Sequence, residues 1–114
     1  MKSKRGYKMY FDDIVTAIAR ILEYTEGCDL ENFKRDYKTV DAVVRNFEII
    51  GEAANNIPNE IKEQYPDVPW YEMYSLRNRI SHEYFGIDYE ISWDIITNHL
   101  RENKSQIELI AKEV

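Results

Sequence analysis

Apolar residues recur at helical spacing along most of this chain, and that periodicity limits its fold more than any other feature. The first, largely apolar stripe comprises Phe11, Ile14, Val15, Ile18, Ile21, Leu22 and Thr25. The second comprises Val40, Val43, Val44, Phe47, Ile50, Ala54 and Ile57. Residues three and four apart share one face of an α-helix, so each stripe predicts an amphipathic helix. Because no segment shows sustained strand alternation, we expect an all-α fold, a small up-down bundle of four to five helices.

Capping residues and prolines indicate where these helices begin and end. Asp12 or Asp13 is predicted near the start of the first helix, where a carboxylate accepts bonds from free N–H groups, and Gly27 predicts its end. Pro69 predicts the start of one helix over "PWYEMYSLRNRISHEY", because proline suits the first helical turn. Asp88 is predicted to cap a last helix that continues to the end of the chain.

Small residues interrupt the second stripe at Gly51, Ala53 and Ala54. Glycine costs about 1 kcal/mol in a helix interior relative to alanine. We therefore expect another helix to approach closely at Gly51.

Length and charge bound the class of protein. The 114 residues favour a single domain, residues 1–114. The formal net charge of -6 argues against a non-specific nucleic-acid binder, because such proteins are usually basic. A small cationic site remains compatible with this charge, since salt screens charges beyond about 8 Å.

Cysteine and histidine are scarce. The single Cys28 excludes an internal disulfide and favours a cytoplasmic location. There is no apolar run of ~18 residues, and the start lacks the apolar core of a secretory signal, so no membrane segment is expected. Together with Cys28, His82 and His99 form no metal-ligand spacing, so we expect no metal and no other cofactor.

The region from Gly86 to Val114 carries more than one apolar face. Ile91 and Ile95 lie off its main stripe. Additional apolar faces in a small bundle favour a partner helix, so we expect a homodimer.

The stretch "LRNRISHEYFG", residues 76–86, concentrates polar chemistry. Arg77 is permanently charged and can bind phosphate oxygens with two donors. His82 can give or take a proton near neutral pH. These two groups suffice for metal-free RNA cleavage, in which a base activates the ribose 2′-OH and a cation offsets the charge that grows on the phosphate.

Helix geometry complicates this hypothesis. On a straight helix Arg77 and His82 point about 140° apart, whereas Asn78 and His82 face each other. Two arrangements bring Arg77 and His82 to one phosphate. Either the helix distorts before His82, or two copies of the motif helix meet and pool their residues.

The candidate site residues also have purely structural interpretations. Arg77 and Asn78 can simply interact with a helix C-terminus, and His82 can bond its last carbonyls. His99 has no charged partner at helical spacing, which is typical of a packing or surface residue. The pair Glu48 and Glu52 can act as acid and base, or can face solvent and balance an arginine such as Arg45.

The polar motif and the segments around it resemble those of a known protein superfamily. "LRNRISHEY" resembles the Arg-x4-6-His motif of the HEPN (higher eukaryotes and prokaryotes nucleotide-binding) superfamily, and its form Arg-x4-His-x-Tyr is similar to that of HepT-like toxins. "TVDAVVRNFEIIGEAANNIP" and "YPDVPWYEMYSLRNRISHEYFGIDYEISWDII" resemble the flanking family segments. Arg101 departs from the pattern, because many relatives carry proline there, so we expect the last helix to continue smoothly.

The resemblance implies a HEPN bundle that dimerises through its motif helices. It implies a metal-independent endoribonuclease toxin of a type VII toxin–antitoxin system, with Arg77 and His82 catalytic and Asn78 supporting. The implied partner is an MntA-like minimal nucleotidyltransferase antitoxin, which transfers AMP from ATP to Tyr84. RNA would be held locally by Arg77 and Arg79.

Arg45, Arg35 and Lys38 are further candidates for holding RNA. Two rival functions remain open. One is a non-catalytic HEPN module that binds nucleotide or scaffolds the nucleotidyltransferase, and the other is a plain helical dimerisation domain.

Overall fold

The computed structural model describes residues 4–82 and 86–114, except for the side chains of residues 4, 5, 77, 81, 82 and 86. The helices are α1 (Lys4–Tyr24), α2 (Leu30–Arg35), α3 (Tyr37–Asn56), α4 (Asn59–Gln64), α5 (Trp70–Tyr74), α6 (Leu76–Ile80), α7 (Tyr89–Asn98) and α8 (Leu100–Glu113). Two short strands, β1 (Ser81–His82) and β2 (Gly86–Ile87), lie between α6 and α7.

The all-α bundle predicted from the apolar stripes is confirmed. Its long members are α1, α3, α7 and α8, and the shorter helices connect them. The helix α1 packs along both α3 and α8, while α5 and α6 pack against α3. Both predicted stripes face one continuous core, in which Phe11, Ile18, Phe47 and Ile50 are fully buried.

The first helix begins earlier than predicted. It starts at Lys4, about two turns before Asp12, and Asp12 and Asp13 are exposed on its surface. Tyr7 and Tyr10 pack against the core, so the buried face of α1 extends towards the N-terminus beyond the predicted stripe. Gly27 has a φ of 77° in the turn after the helix, as expected of a residue that ends it.

The last helix is divided, contrary to the prediction of one smooth helix. His99 has φ −125° and ψ −37°, and it separates α7 from α8. The two helices pack against different elements, since α7 contacts α2 and α6 whereas α8 contacts α1. Ile95 is buried in the core and so adds nothing to an apolar face for a partner helix, whereas Ile91 is 39% exposed.

Aromatic packing fixes the start of α7 against α2. The ring of Phe33 is fully buried, and its centroid lies 5.3 Å from that of Trp93 and 6.2 Å from that of Tyr89. Asp88 caps α7 as predicted, because its side chain accepts a hydrogen bond from the N–H of Ile91 at 3.0 Å.

None of the helices in the described part of the chain combines the length and the apolarity needed to cross a membrane.

Candidate functional site

The segment that holds the motif is not one helix. The predicted helix after Pro69 is divided at Ser75 into α5 and α6, and α6 ends at Ile80. Ile80 is fully buried, and its carbonyl oxygen accepts a 2.6 Å hydrogen bond from the N–H of Asp88. This bond turns the chain out of the helix, so the prediction of a continuous helix through His82 was wrong.

His82 consequently lies in an extended strand. β1 and β2 pair antiparallel, with Ser81 opposite Ile87 and His82 opposite Gly86. The backbone distorts before His82, which is one of the two arrangements expected from the sequence. The separation of about 140° expected on a straight helix therefore no longer applies to Arg77 and His82.

The other motif residues are Arg77, Asn78 and Tyr84. Arg77 and Asn78 belong to α6, and the Asn78 side chain is exposed. The expected facing of Asn78 and His82 depended on a helix that continues past Ile80, so it does not hold. Tyr84 lies outside the described residues.

Another helix approaches α3 closely at Gly51, as predicted, and that helix is α5. A Cβ at this position would lie 3.0 Å from the carbonyl oxygen of Tyr74 and 3.4 Å from that of Met73. Both oxygens belong to α5, the helix immediately before α6. Because glycine has no side chain, α3 can come this close to α5, the helix that leads into the motif.

An open depression of about 270 Å³ lies at this contact. Its lining includes Arg45, Glu48 and Glu52 from α3 and Tyr74 from α5. Glu48 is half-buried and Glu52 is exposed. The glutamate pair and Arg45 thus share one surface beside the helix that leads into the motif, so both sequence-based interpretations of the pair remain open.

The remaining candidate cations are distributed over other surfaces. Arg35 and Lys38 line a shallow depression where α2 meets α3. Arg79 lines a different one with Glu90 and Asp94 on α7. The described depressions therefore do not bring Arg35 or Lys38 together with Arg79 or Arg45.

His99 has an acidic partner that sequence spacing did not reveal. Its Nε2 lies 3.4 Å from Oδ2 of Asp94, and the two side chains are 52% and 57% exposed. Asn98 donates a 2.6 Å hydrogen bond from Nδ2 to Oδ1 of the same aspartate. His99 is a surface residue, which is one of the two roles predicted for it, and the bend at His99 brings it to an aspartate five residues away that helical spacing does not indicate.

A deeper cavity of about 280 Å³ lies between α5–α6 and α7–α8. Its floor is apolar and includes Ile18, Ile50, Met73, Leu76, Ile95 and Leu100. Its polar lining consists of Glu72, Arg79, His99 and Asn103. No sequence pattern indicates this cavity, because six helices contribute to its wall.

Acidic, histidine and cysteine side chains do not form a metal centre in the part of the chain that the structure describes, since no group of three or more could hold an ion.

Comparison with known proteins links this chain to one family. A model of the family described as "HepT-like: Ribonuclease HepT-like" matches residues 14–110. The "Probable ribonuclease HepT" of Thermococcus cleftensis is 41% identical over 109 residues, which cover 96% of this chain and 99% of that protein. "Putative RNase MJ0127" of Methanocaldococcus jannaschii is 39% identical over 111 residues, covering 97% and 92%. No solved structure matches the chain.

A third relative matches almost the whole chain. "Putative RNase TTE0752" of Caldanaerobacter subterraneus subsp. tengcongensis is 37% identical over 114 residues, covering 99% of both chains. The matched residues 14–110 include both Arg77 and His82. The chain therefore belongs to the ribonuclease HepT-like family.

Proposed function

We propose that this protein is a metal-independent endoribonuclease in which Arg77 and His82 cleave RNA. Membership of the ribonuclease HepT-like family carries this proposal, together with the presence of both motif residues in the matched segment. The relatives named above as ribonucleases support the same chemistry. The end of α6 at Ile80 also supports it, because an extended His82 is not bound by helical geometry to point away from Arg77.

The proposed reaction needs no metal. His82 acts as a general base or acid at the ribose 2′-OH and the leaving 5′-oxygen. The 2′-oxygen attacks the adjacent phosphorus, the bond to the 5′-oxygen breaks, and the products carry a 2′,3′-cyclic phosphate and a 5′-OH. The Arg77 guanidinium offsets the negative charge that grows on the phosphate oxygens, and Asn78 supports the site from the same helix.

The active unit in this proposal is a homodimer in which two motif segments share one cleft. One histidine can then act as base and the other as acid. Tyr71 and Tyr74 support an interface here, because they lie three residues apart on α5 and are 73% and 50% exposed. Exposed aromatic side chains are enriched at protein interfaces. Light scattering should report twice the 13.6 kDa chain mass, and a monomer at micromolar concentration would exclude the shared cleft.

We further propose that the ribonuclease is the toxin of a type VII toxin–antitoxin pair. Its partner is an MntA-like nucleotidyltransferase that transfers AMP from ATP to Tyr84 and releases pyrophosphate. Each AMP adds a phosphate with about one negative charge, which can pair with cations intended for RNA. The sequence similarity to HepT-like toxins supports this part of the proposal.

The decisive experiment measures RNA cleavage by the purified protein in EDTA. Cleavage should persist, and Arg77→Ala or His82→Ala should each lower the rate by at least ~10²-fold. Arg101→Ala is the matched control, since Arg101 is an exposed arginine on α8. If His82→Ala cleaves RNA at the full rate, or if EDTA stops the reaction, the proposed mechanism is wrong.

A further inference from the structure

The cavity between α5–α6 and α7–α8 lies beside the proposed reaction site. Arg79 lines its wall and is exposed, and it follows Arg77 by two residues on α6. Positions two apart on a helix are about 160° apart around its axis, so positions 77 and 79 lie on different sides of α6. The cavity is therefore adjacent to the position of Arg77 and distinct from it.

Asn103 provides a buried polar group in the cavity wall. The side chain lines the cavity, and the residue is only 9% exposed. Its Nδ2 donates one long hydrogen bond of 3.5 Å to Oε1 of Gln106. A carboxamide has an acceptor oxygen and two donor hydrogens, so Asn103 can offer both a donor and an acceptor to a ligand in the cavity.

We infer that this cavity is a subsite for one nucleobase of the RNA substrate, an inference that rests on the proposed function. The apolar floor, which includes Ile50, Ile95 and Met73, suits the faces of a planar heterocycle. The Asn103 carboxamide pairs with the donor and acceptor on the edge of the base. Arg79 at the rim binds a neighbouring phosphate, and His99 stacks against the base or its ribose.

The size and polarity of the cavity favour a base over an apolar protein side chain. Its volume of about 280 Å³ is near the lower end for ligand pockets, which suits one ring system. An apolar side chain would cover the Asn103 carboxamide without offering it a hydrogen bond, which is unfavourable. A base satisfies the carboxamide and fills the apolar floor at the same time.

The rim also indicates which base fits. Glu72 is an exposed carboxylate in the cavity lining, and a carboxylate accepts a hydrogen bond from an exocyclic amino group. An asparagine carboxamide pairs with the N6 and N7 positions of adenine through two hydrogen bonds. The subsite therefore prefers adenine, and it disfavours uracil, which has no amino group.

Titration with mononucleotides tests the subsite without requiring cleavage. AMP added to the protein should shift the methyl NMR signals of Ile50, Ile95 and Leu100, and UMP should bind about tenfold more weakly. Asn103→Leu should weaken AMP binding by about tenfold or more. The control is Asn56→Leu, because Asn56 lies on α3 and lines a different depression.

The outcomes separate this inference from the proposed function. The subsite is excluded if AMP leaves the cavity signals unchanged, if UMP binds as well as AMP, or if Asn103→Leu binds AMP like the wild type. It is also excluded if those signals change on dilution without nucleotide, because a second copy then fills the cavity. If AMP occupies the cavity but no RNA is cleaved, the subsite is supported and the proposed ribonuclease is not.

A cleavage assay provides the complementary measurement. In RNA of varied sequence, the wild type should cleave preferentially at a bond that lies a fixed number of nucleotides from an adenine. Asn103→Leu should lose that preference, whereas His82→Ala should lower the cleavage rate by at least ~10²-fold and still bind AMP. A variant at Asn103 that retains the wild-type base preference would overturn the inference.

Discussion

The N–H of Asp88 donates a 2.6 Å hydrogen bond to the carbonyl oxygen of Ile80, and this bond joins the end of the motif helix to the start of α7. The side chain of Asp88 simultaneously accepts from the N–H of Ile91 at 3.0 Å, and its carbonyl accepts from the Ser92 hydroxyl at 2.8 Å. One residue thus caps α7 and binds the end of α6.

Asp88→Ala should lower the free energy of unfolding by about 1 kcal/mol, because α7 loses its N-terminal cap. Asp88→Asn is the matched control, since asparagine caps nearly as well. Urea denaturation followed by circular dichroism measures both variants. Equal stability of Asp88→Ala and the wild type would show that the cap does not stabilise α7.

Gly51→Ala should also destabilise the fold, although alanine favours helices. The added Cβ would lie 3.0 Å from the carbonyl oxygen of Tyr74, and a backbone oxygen cannot move aside alone. Overpacking costs about 1–3 kcal/mol, which the helix gain of about 1 kcal/mol offsets only in part. Asn55→Ala, at an exposed position of the same helix, is the control for helix propensity alone. A Gly51→Ala protein that unfolds at a higher denaturant concentration than wild type would contradict the close approach.

Tyr84→Phe should remove the site of AMP transfer. Incubation of the wild type with ATP and the cognate nucleotidyltransferase should add AMP increments in intact-mass spectrometry, and Tyr84→Phe should show none. The exposed Tyr37→Phe is the matched control and should be modified like the wild type. Equal modification of Tyr84→Phe, or full RNA cleavage by the modified protein, would reject the role of this tyrosine.

Stability should fall at acidic pH in part through Asp36. Hydrogen bonds from the hydroxyl and N–H of Thr39, at 2.7 Å and 3.1 Å, lower the pKa of this carboxyl from its usual value. Because the folded pKa is depressed, the stabilisation is present above the unfolded pKa of about 4 and is lost as pH falls through the folded pKa. The wild type should have a higher Tm than Asp36→Asn at pH 7, and this difference in Tm should vanish at strongly acidic pH. A Tm difference that stays constant with pH would show that the charge of Asp36 is not involved.

The features that were predicted correctly from the sequence are those that depend on local pattern. The apolar stripes identified core residues such as Phe47 and Ile18, since the 3.6-residue period of a helix is visible in one dimension. Gly51 revealed a close helix contact because glycine is costly in a helix unless space is short. Asp88 was identified as a cap for a similarly local reason.

What the sequence did not show depends on contacts between distant elements. No glycine or proline lies between Leu76 and Phe85, so local propensity alone does not predict that α6 ends at Ile80. The buried Ile80 and its bond to Asp88 determine that end. The pair of His99 and Asp94 likewise requires a bend that no local signal marked.

Chain order has a further consequence for how the bundle assembles. The floor of the cavity combines Ile18, from the first helix, with Leu100, from the last. Contacts between α1 and α3 span a short stretch of chain and can form while synthesis continues, whereas α8 docks on α1 only after most of the chain has been made. During translation we therefore expect the scaffold around the motif to form first, and the cavity to close only when α8 docks on α1.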